Sequence, residues 1–339
     1  YHLPPFEAAF EAGTATIMPY YGMPMGTEHE EVGFAFNKGV ISGLLREKYG
    51  FDGVVCTDWG PLTDANIMGE NFPARAWGVE HFSLPERIVK SLVAGIDQFG
   101  GEACPEALVE LVRAGQVSEA RLDISVRRLL RDKFRLGLFE NPCVDEDSAA
   151  HIAGNAAFRA AGELAQRKSI VLLKNADILP LRGRPKIYVE NVNAEVAAQY
   201  GEAVDEPGAA DVAILRLKTP FEPRNSIFLE SFFHAGDLDF KEPEKSRLLA
   251  IMSQVPTIVD IYLDRPAVIP EIAAACAGLV ANFGASDAAV LDIIFGRFKP
   301  TATLPFELPS SMEAVRAQHP DVPHDSADPI FEHGFGLNY

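Results

Sequence analysis

Four cysteines, Cys56, Cys104, Cys143 and Cys276, are spread through 339 residues without a CxxC pair or a histidine at metal-ligand spacing, which excludes a zinc scaffold and a disulfide framework. Unpaired cysteines of this kind favour the cytoplasm as the compartment. Long apolar runs are also missing, none approaching the roughly 20 residues that span a bilayer, so no membrane partner is expected. Positive charge is scarce. Thirty Lys and Arg against 48 Asp and Glu leave a formal charge of -18, which repels phosphate backbones, and no basic stripe interleaved with aromatics offsets it. Nucleic acid is therefore not expected as a partner. Gly334-Phe335-Gly336 lacks the third glycine, preceding strand and following helix of a dinucleotide fingerprint. No repeat or low-complexity tract appears.

What remains is a globular composition, 47% hydrophobic and 23% charged, in a chain long enough to divide into two domains. Pro5–Ala12 reads as a helix stopped by Gly13, and Thr14–Met18 as a strand. Glu31–Tyr49 predicts a helix with Val32, Phe36, Val40 and Leu44 on one face. Gly53–Thr57 is a β-branched run suited to a strand buried on both sides, followed by a helix at Glu86–Ala94 and a short strand at Ile96–Phe99. Helices at Pro105–Ala114 and Ser118–Arg135 come next, the second expected to turn Leu122, Val126, Leu129 and Leu130 inward before Gly137. Strands alternating with helices imply parallel pairing.

The acidic, aperiodic stretch Glu140–Asp147 marks a boundary, giving domains at 1–143 and 144–339. The second begins with a helix at Ala149–Gln166. Strands are expected at Ser169–Leu173, Lys186–Glu190, Ala210–Leu215, Thr257–Leu263 and Gly278–Asn282, with helices near Ala194–Tyr200, Glu242–Met252, Pro270–Ala275 and Asp287–Phe295. That is an open α/β sheet. If the units of the first domain belong to a (β/α)₈ barrel, which takes about 250 residues, they supply only its last few. The rest is then expected from a further N-terminal segment or another chain.

The segment richest in chemistry is Tyr49–Gly60, YGFDGVVCTDWG. It delivers Asp58 to the C-terminal end of a strand, beside Trp59, which combines a fixed carboxylate with an aromatic face able to stack on a sugar ring. Alone, an aspartate after a strand is more often a helix cap. The sequence GFDGVVCTDWG, however, resembles the GFDGVVVSDWG signature of family 3 glycoside hydrolases. LPPFEAAFEAGTATIMPYYGMP, AGIDQF, RKSIVLLKNADILPL, LPFELP and HGFGLNY are similar to further stretches of that family, so the resemblance covers essentially the whole chain.

The resemblance implies the C-terminal portion of a (β/α)₈ TIM-like barrel followed by an α/β sandwich domain. It makes Asp58 the nucleophile, Trp59 the flanking aromatic and Tyr21 the tyrosine near the nucleophile. The general acid/base of many members lies in a second-domain loop, here Lys218–Phe240, which carries Glu222 and Glu230 among closely spaced phenylalanines. Aligning Leu238–Phe240 with the family's LDL assigns Glu230 as acid/base and Glu222 as the alternative. His234 is a hydroxyl-binding candidate. The family's E-x-E-G-x-D-R pattern is absent, and no segment matches its upstream Lys-His pair or its sugar-holding Asp and Arg. Glu102, in the turn Gly100-Gly101-Glu102, reads as a residue favouring the following helix N-terminus rather than a substrate ligand.

The activity implied is retaining hydrolysis of β-glucosides or short β-gluco-oligosaccharides, with xylosides or arabinosides as the variant specificity. No metal or organic cofactor is implied. The partners expected are a β-linked glycoside and either the remaining barrel segment or a second copy of the chain. A non-catalytic carbohydrate-binding fragment is the rival, because a barrel lacking strands exposes sheet edge.

Overall fold

The computed structural model describes residues 2–67, 69–224, 232–319 and 321–339. Two compact units divide the chain, Tyr1–Glu146 and Asp147–Tyr339. Both are α/β, and both are built on parallel strands. Among the described residues no helix is long and apolar enough to cross a membrane.

The first unit opens with a helix at Pro4–Glu11, its prolines in the first turn where no N–H is missed. Strand β1 (Thr16–Ile17) pairs parallel with β2 (Val54–Trp59), matching Thr16 to Val54 and Ile17 to Val55. A small antiparallel hairpin follows, β3 (Ala65–Ile67) and β4 (Glu70–Phe72), and β5 (Gln98–Gly100) then pairs parallel on the far side of β2. Thus β2 is the central strand, and Val54 and Val55 are buried. The hairpin had no sequence signal, because three-residue strands are too short to display a period.

Two helical expectations need correction. In place of one helix over Glu31–Tyr49 there is a 3₁₀ turn at Phe34–Phe36 and a π-type helix at Gly39–Lys48. Buried Asn37 separates them: its backbone is extended, its Nδ2 donates to the Glu30 carbonyl at 2.8 Å, and its Oδ1 accepts from Val40 N at 3.0 Å. The buried face shifts accordingly to Ile41 and Leu45, leaving Val40 and Leu44 half-buried. On the helix Glu119–Arg135, Val126 and Leu130 are exposed, whereas Ser125 is buried. The cause is a polar stripe. Asp97, whose side chain has no exposure, accepts from Ser125 Oγ at 2.8 Å, Arg128 Nη1 at 3.0 Å, Arg46 Nη2 at 2.6 Å and Val55 N at 3.0 Å. An amphipathic reading keyed to apolar residues could not see a helix held by arginine and serine.

In the second unit the expected single helix is two, Glu146–Ile152 and Ala156–Ser169. Gly154 takes a left-handed φ of 63° and Asn155 caps the second helix by accepting from Phe158 N at 2.9 Å, so the chain restarts there. A six-stranded sheet follows: β6 (Val171–Asn175), β7 (Lys186–Glu190), β8 (Glu202–Val204), β9 (Val212–Lys218), β10 (Thr257–Tyr262) and β11 (Gly278–Asn282), ordered β6-β11-β10-β9-β7-β8. All neighbours are parallel except β6 with β11. The sheet is covered on both faces. Ala213, Leu215 and Leu217 enter one apolar cluster while Val212 and Ile214 enter the other, which explains the continuous apolar runs in its strands. The short edge strand β8 and the helix Met312–Ala317 carried no readable pattern.

Asp260 interrupts the apolar run of β10. It is fully buried, bonded to Asn282 Nδ2 at 2.7 Å and paired with Arg216 at 3.1 Å. Burial nevertheless raises its carboxyl to about 6, outweighing both partners.

Candidate active site

The chain direction and β-branched composition of β2 determine where Asp58 emerges. Gly53 lets the strand begin close against its neighbour, since a Cβ there would lie 2.2 Å from the Ala15 carbonyl. Val54, Val55 and Thr57 are then buried, and the strand ends with Asp58 half-buried and Trp59 66% exposed. The Asp58 carboxylate accepts from the backbone N–H of Trp59 at 2.7 Å. It does not cap a helix: after Trp59 the chain turns through Gly60, at a φ of 71°, into an irregular loop.

Tyr21 lies beside this strand end. Its hydroxyl donates to the Trp59 carbonyl at 2.6 Å, and burial followed by its hydrogen bond with Asp58 pushes the phenol up to about 12. The ring lies under the Arg75 guanidinium, 4.9 Å from ring centre to carbon. Arg75 also faces Phe72 at 5.7 Å, and its backbone N–H donates to Gly60 O at 2.9 Å. Pro19, Tyr20, Tyr21, Phe34, Asp58 and Arg75 line a narrow recess. The recess therefore offers a carboxylate, a protonated phenol and a permanent cation at one strand end. Arg75 was not legible in the sequence, because FPARAWG has no periodicity and an isolated arginine reads as surface.

Because its folded-state pKa is about 12, the Tyr21 hydroxyl stays protonated through neutral and mildly alkaline pH. Tyr21→Phe is expected to lower any turnover at this strand end by about ten- to a hundredfold while leaving the fold intact, the cost of deleting one partly buried hydrogen bond to the segment that carries Asp58. In a spectrophotometric titration, the same variant should lack one phenol that ionises near pH 12 rather than 10. A lost phenol that had ionised near 10 rather than 12, or unchanged turnover, would remove Tyr21 from the site.

The remaining candidates lie in the second unit. Glu222 is exposed, and its backbone pairs with Ala235 in an isolated antiparallel bridge, Glu222 N to Ala235 O at 2.8 Å. His234 stacks on Phe221, with ring centres 3.8 Å apart and planes 11° apart, and its Nδ1 pairs with the Asp264 carboxylate. Phe232 and Phe233 expose about two-thirds of their surface. Glu230 falls outside the described residues. The structure thus gathers Asp58, Trp59 and Tyr21 at one strand end, and separately places Glu222 beside His234 where the two ends of the Lys218–Phe240 loop meet. Asp264, which fixes the His234 ring, was missed; it sits in the turn after β10, and only the fold brings it to His234.

Residues 1–131 match the Glycosyl hydrolase family 3 N terminal domain and residues 190–339 match the Glycosyl hydrolase family 3 C-terminal domain. The chain belongs to glycosyl hydrolase family 3. Among its curated relatives, "Probable beta-glucosidase C" of Aspergillus flavus is 52% identical over 100% of the chain and 54% of its own length. "Beta-glucosidase C" of Emericella nidulans is 50% identical over 100% of the chain and 55% of its own length. A "Periplasmic beta-glucosidase/beta-xylosidase" of Dickeya chrysanthemi is 41% identical over 99% and 54%. The chain spans about half the length of the curated relatives it matches. Its fold is similar to that of a beta-glucosidase of Erythrobacter marinus, TM-score 0.80 at 21% identity over 99% of this chain and 54% of that one. A Listeria innocua beta-glucosidase solved with glucose is similar at TM-score 0.76 and 21% identity, over 99% and 53%.

Proposed function

We propose that this chain carries the nucleophile-bearing part of a retaining, exo-acting β-glucosidase that removes terminal β-D-glucosyl residues from β-glucosides or short β-gluco-oligosaccharides. Residues 1–143 correspond in this reading to the C-terminal portion of a (β/α)₈ barrel, and 144–339 to the α/β sandwich domain that contributes the acid/base loop. The observation that carries it is Asp58, delivered by the central parallel strand and flanked by exposed Trp59, Tyr21 and Arg75. Carboxylates at the C-terminal ends of barrel strands are where such enzymes place their chemistry. The names of the relatives that align over the whole chain support the substrate class.

In the first step Glu230 donates its proton to the glycosidic oxygen as an Asp58 oxygen attacks the anomeric carbon, so the C–O bond breaks and the alcohol leaves. Trp59 presents its ring to the sugar, and Arg75 and Tyr21 hold the segment that carries the nucleophile. In the second step the Glu230 carboxylate takes a proton from water, whose oxygen displaces Asp58 and returns the sugar with its original configuration. His234, fixed by Asp264 and Phe221, serves a sugar hydroxyl. Turnover is expected only where the rest of the barrel is supplied, by the same polypeptide or by a partner.

Nitrophenyl β-glycosides test the reading. The complete enzyme should release nitrophenol from the glucoside faster than from the xyloside or arabinoside; the reverse order would favour the β-xylosidase activity named for the Dickeya relative. Glu230→Gln should lower kcat/KM for cellobiose by about 10² to 10⁴-fold and for a dinitrophenyl glucoside far less, since a good leaving group needs no proton in the first step, while kcat falls for both because water loses its base in the second. If Glu222→Gln shows that pattern instead, the acid is Glu222.

A further inference from the structure

The turn Gly100-Gly101-Glu102, at the end of β5, lies against the whole segment that presents the nucleophile. Gly100 N donates to Thr57 Oγ1 at 2.7 Å, and a Cβ on Gly100 would stand 2.3 Å from the Thr57 carbonyl. Gly101 has a φ of 71°, and a Cβ there would fall 1.9 Å from the Trp59 ring. Both positions therefore require glycine, one for close backbone approach and the other also for its conformation. Glu102 completes the arrangement. It does not serve the helix at Pro105–Arg113, as the sequence suggested; its Oε1 accepts from Leu62 N at 2.6 Å and Thr63 N at 2.7 Å, with Thr63 Oγ1 at 3.4 Å. Arg87 holds the same loop from the other side, Nη1 to Leu62 O at 2.9 Å. These contacts fasten three successive points, Thr57, Trp59 and Leu62–Thr63, and Asp58 lies between the first two.

We infer that Glu102 is a positioning residue for the nucleophile, and that the Gly-Gly-Glu turn fixes the direction in which Asp58 and Trp59 leave β2. The inference rests on Asp58 being the nucleophile. Its physical basis is that the loop after Trp59 is irregular, so the amides of Leu62 and Thr63 have no strand or helix partner and depend on one carboxylate oxygen. Burial raises the Glu102 carboxyl from its ordinary value while the two amide bonds oppose the rise. The second oxygen, Oε2, is buried without a hydrogen-bond partner among the described residues. A side chain kept in so unfavourable a place is held there by what Oε1 does for the loop. Released from it, Asp58 would sample orientations away from the anomeric carbon, and small misplacements of a reacting group are costly.

Hydrogen exchange and kinetics test this together. In the 339-residue chain, Glu102→Ala should speed amide exchange at Leu62 and Thr63 by about tenfold or more, and Glu102→Gln, which keeps an acceptor oxygen, should restore most of the protection. In the complete enzyme, Glu102→Ala should lower kcat by about ten- to a hundredfold with KM changed less than about threefold, and Glu102→Gln should recover most of the loss. Circular dichroism identifies any variant that fails to fold, in which case Glu102→Gln carries the exchange and kinetic comparison. Unchanged exchange at Leu62 and Thr63, an unchanged kcat, or a loss confined to KM would each overturn the assignment. An Asp58→Ala control separates the two ideas: if that variant stays active the nucleophile reading fails, and if it is dead while Glu102→Ala keeps its kcat, only the positioning role fails.

Discussion

Asp58→Ala should abolish glycoside turnover in the complete enzyme, lowering kcat on the order of 10⁴-fold or more, the scale seen when a covalent nucleophile is deleted. The loss should be chemical. Asp58 is half-buried at the strand end, and its side chain bonds the amide of its neighbour Trp59 and the Tyr21 phenol rather than the sheet, so replacing it leaves the β1-β2-β5 sheet intact. Folding, measured by circular dichroism and urea unfolding, should be close to that of the unchanged chain. Added azide should restore part of the activity with an activated substrate and give a glycosyl azide of inverted configuration, because the small anion attacks from the side the carboxylate occupied. Activity that survives the substitution would remove Asp58 from the mechanism.

The second large effect concerns stability. Asp97 underlies the same strand and gathers Arg46, Arg128, Ser125 and the amide of Val55 around a carboxylate with no solvent exposure. Asp97→Ala leaves Arg46, 13% exposed, without its ion-pair partner and Arg128, 18% exposed, with only the exposed Asp52. Removing one partner of a buried ionic group costs about 3–5 kcal/mol. Urea unfolding should show that loss for Asp97→Ala and a smaller one for Asp97→Asn, which retains an acceptor. A change below about 1 kcal/mol would mean that Arg46 and Arg128 find water or other partners, and that the cluster is incidental. Since Val55 lies three residues before Asp58, the same substitution should also loosen the root of the strand that carries Asp58.

Much of this arrangement was legible because burial leaves a pattern. The runs Gly53–Thr57 and Gly278–Asn282 read as strands, and they are strands or the bulk of them, since a strand covered on both faces is apolar along most of its length. Asp58 stood out because it follows such a run immediately. Polar organisation was hidden. The helix Glu119–Arg135 docks through Arg121, Ser125 and Arg128, which look like a solvated face until Asp97 is placed opposite. Glu102 was given to the wrong partner, because sequence proximity to Pro105 suggested a helix terminus whereas the carboxylate reaches back 40 residues to Leu62. Arg75 and Asp264 were missed for the same reason: their meaning lies in a partner distant in sequence, Tyr21 for one and His234 for the other.

The most direct test of the central claim is covalent trapping. A 2-deoxy-2-fluoro-β-D-glucosyl fluoride should glycosylate the complete enzyme once, with loss of fluoride, and peptide mass mapping should find the glycosyl ester on the fragment containing Asp58 and none in Asp58→Ala. A label on Glu222, on Glu230 or on any other carboxylate, or an enzyme that turns over without ever forming an adduct, would contradict the account.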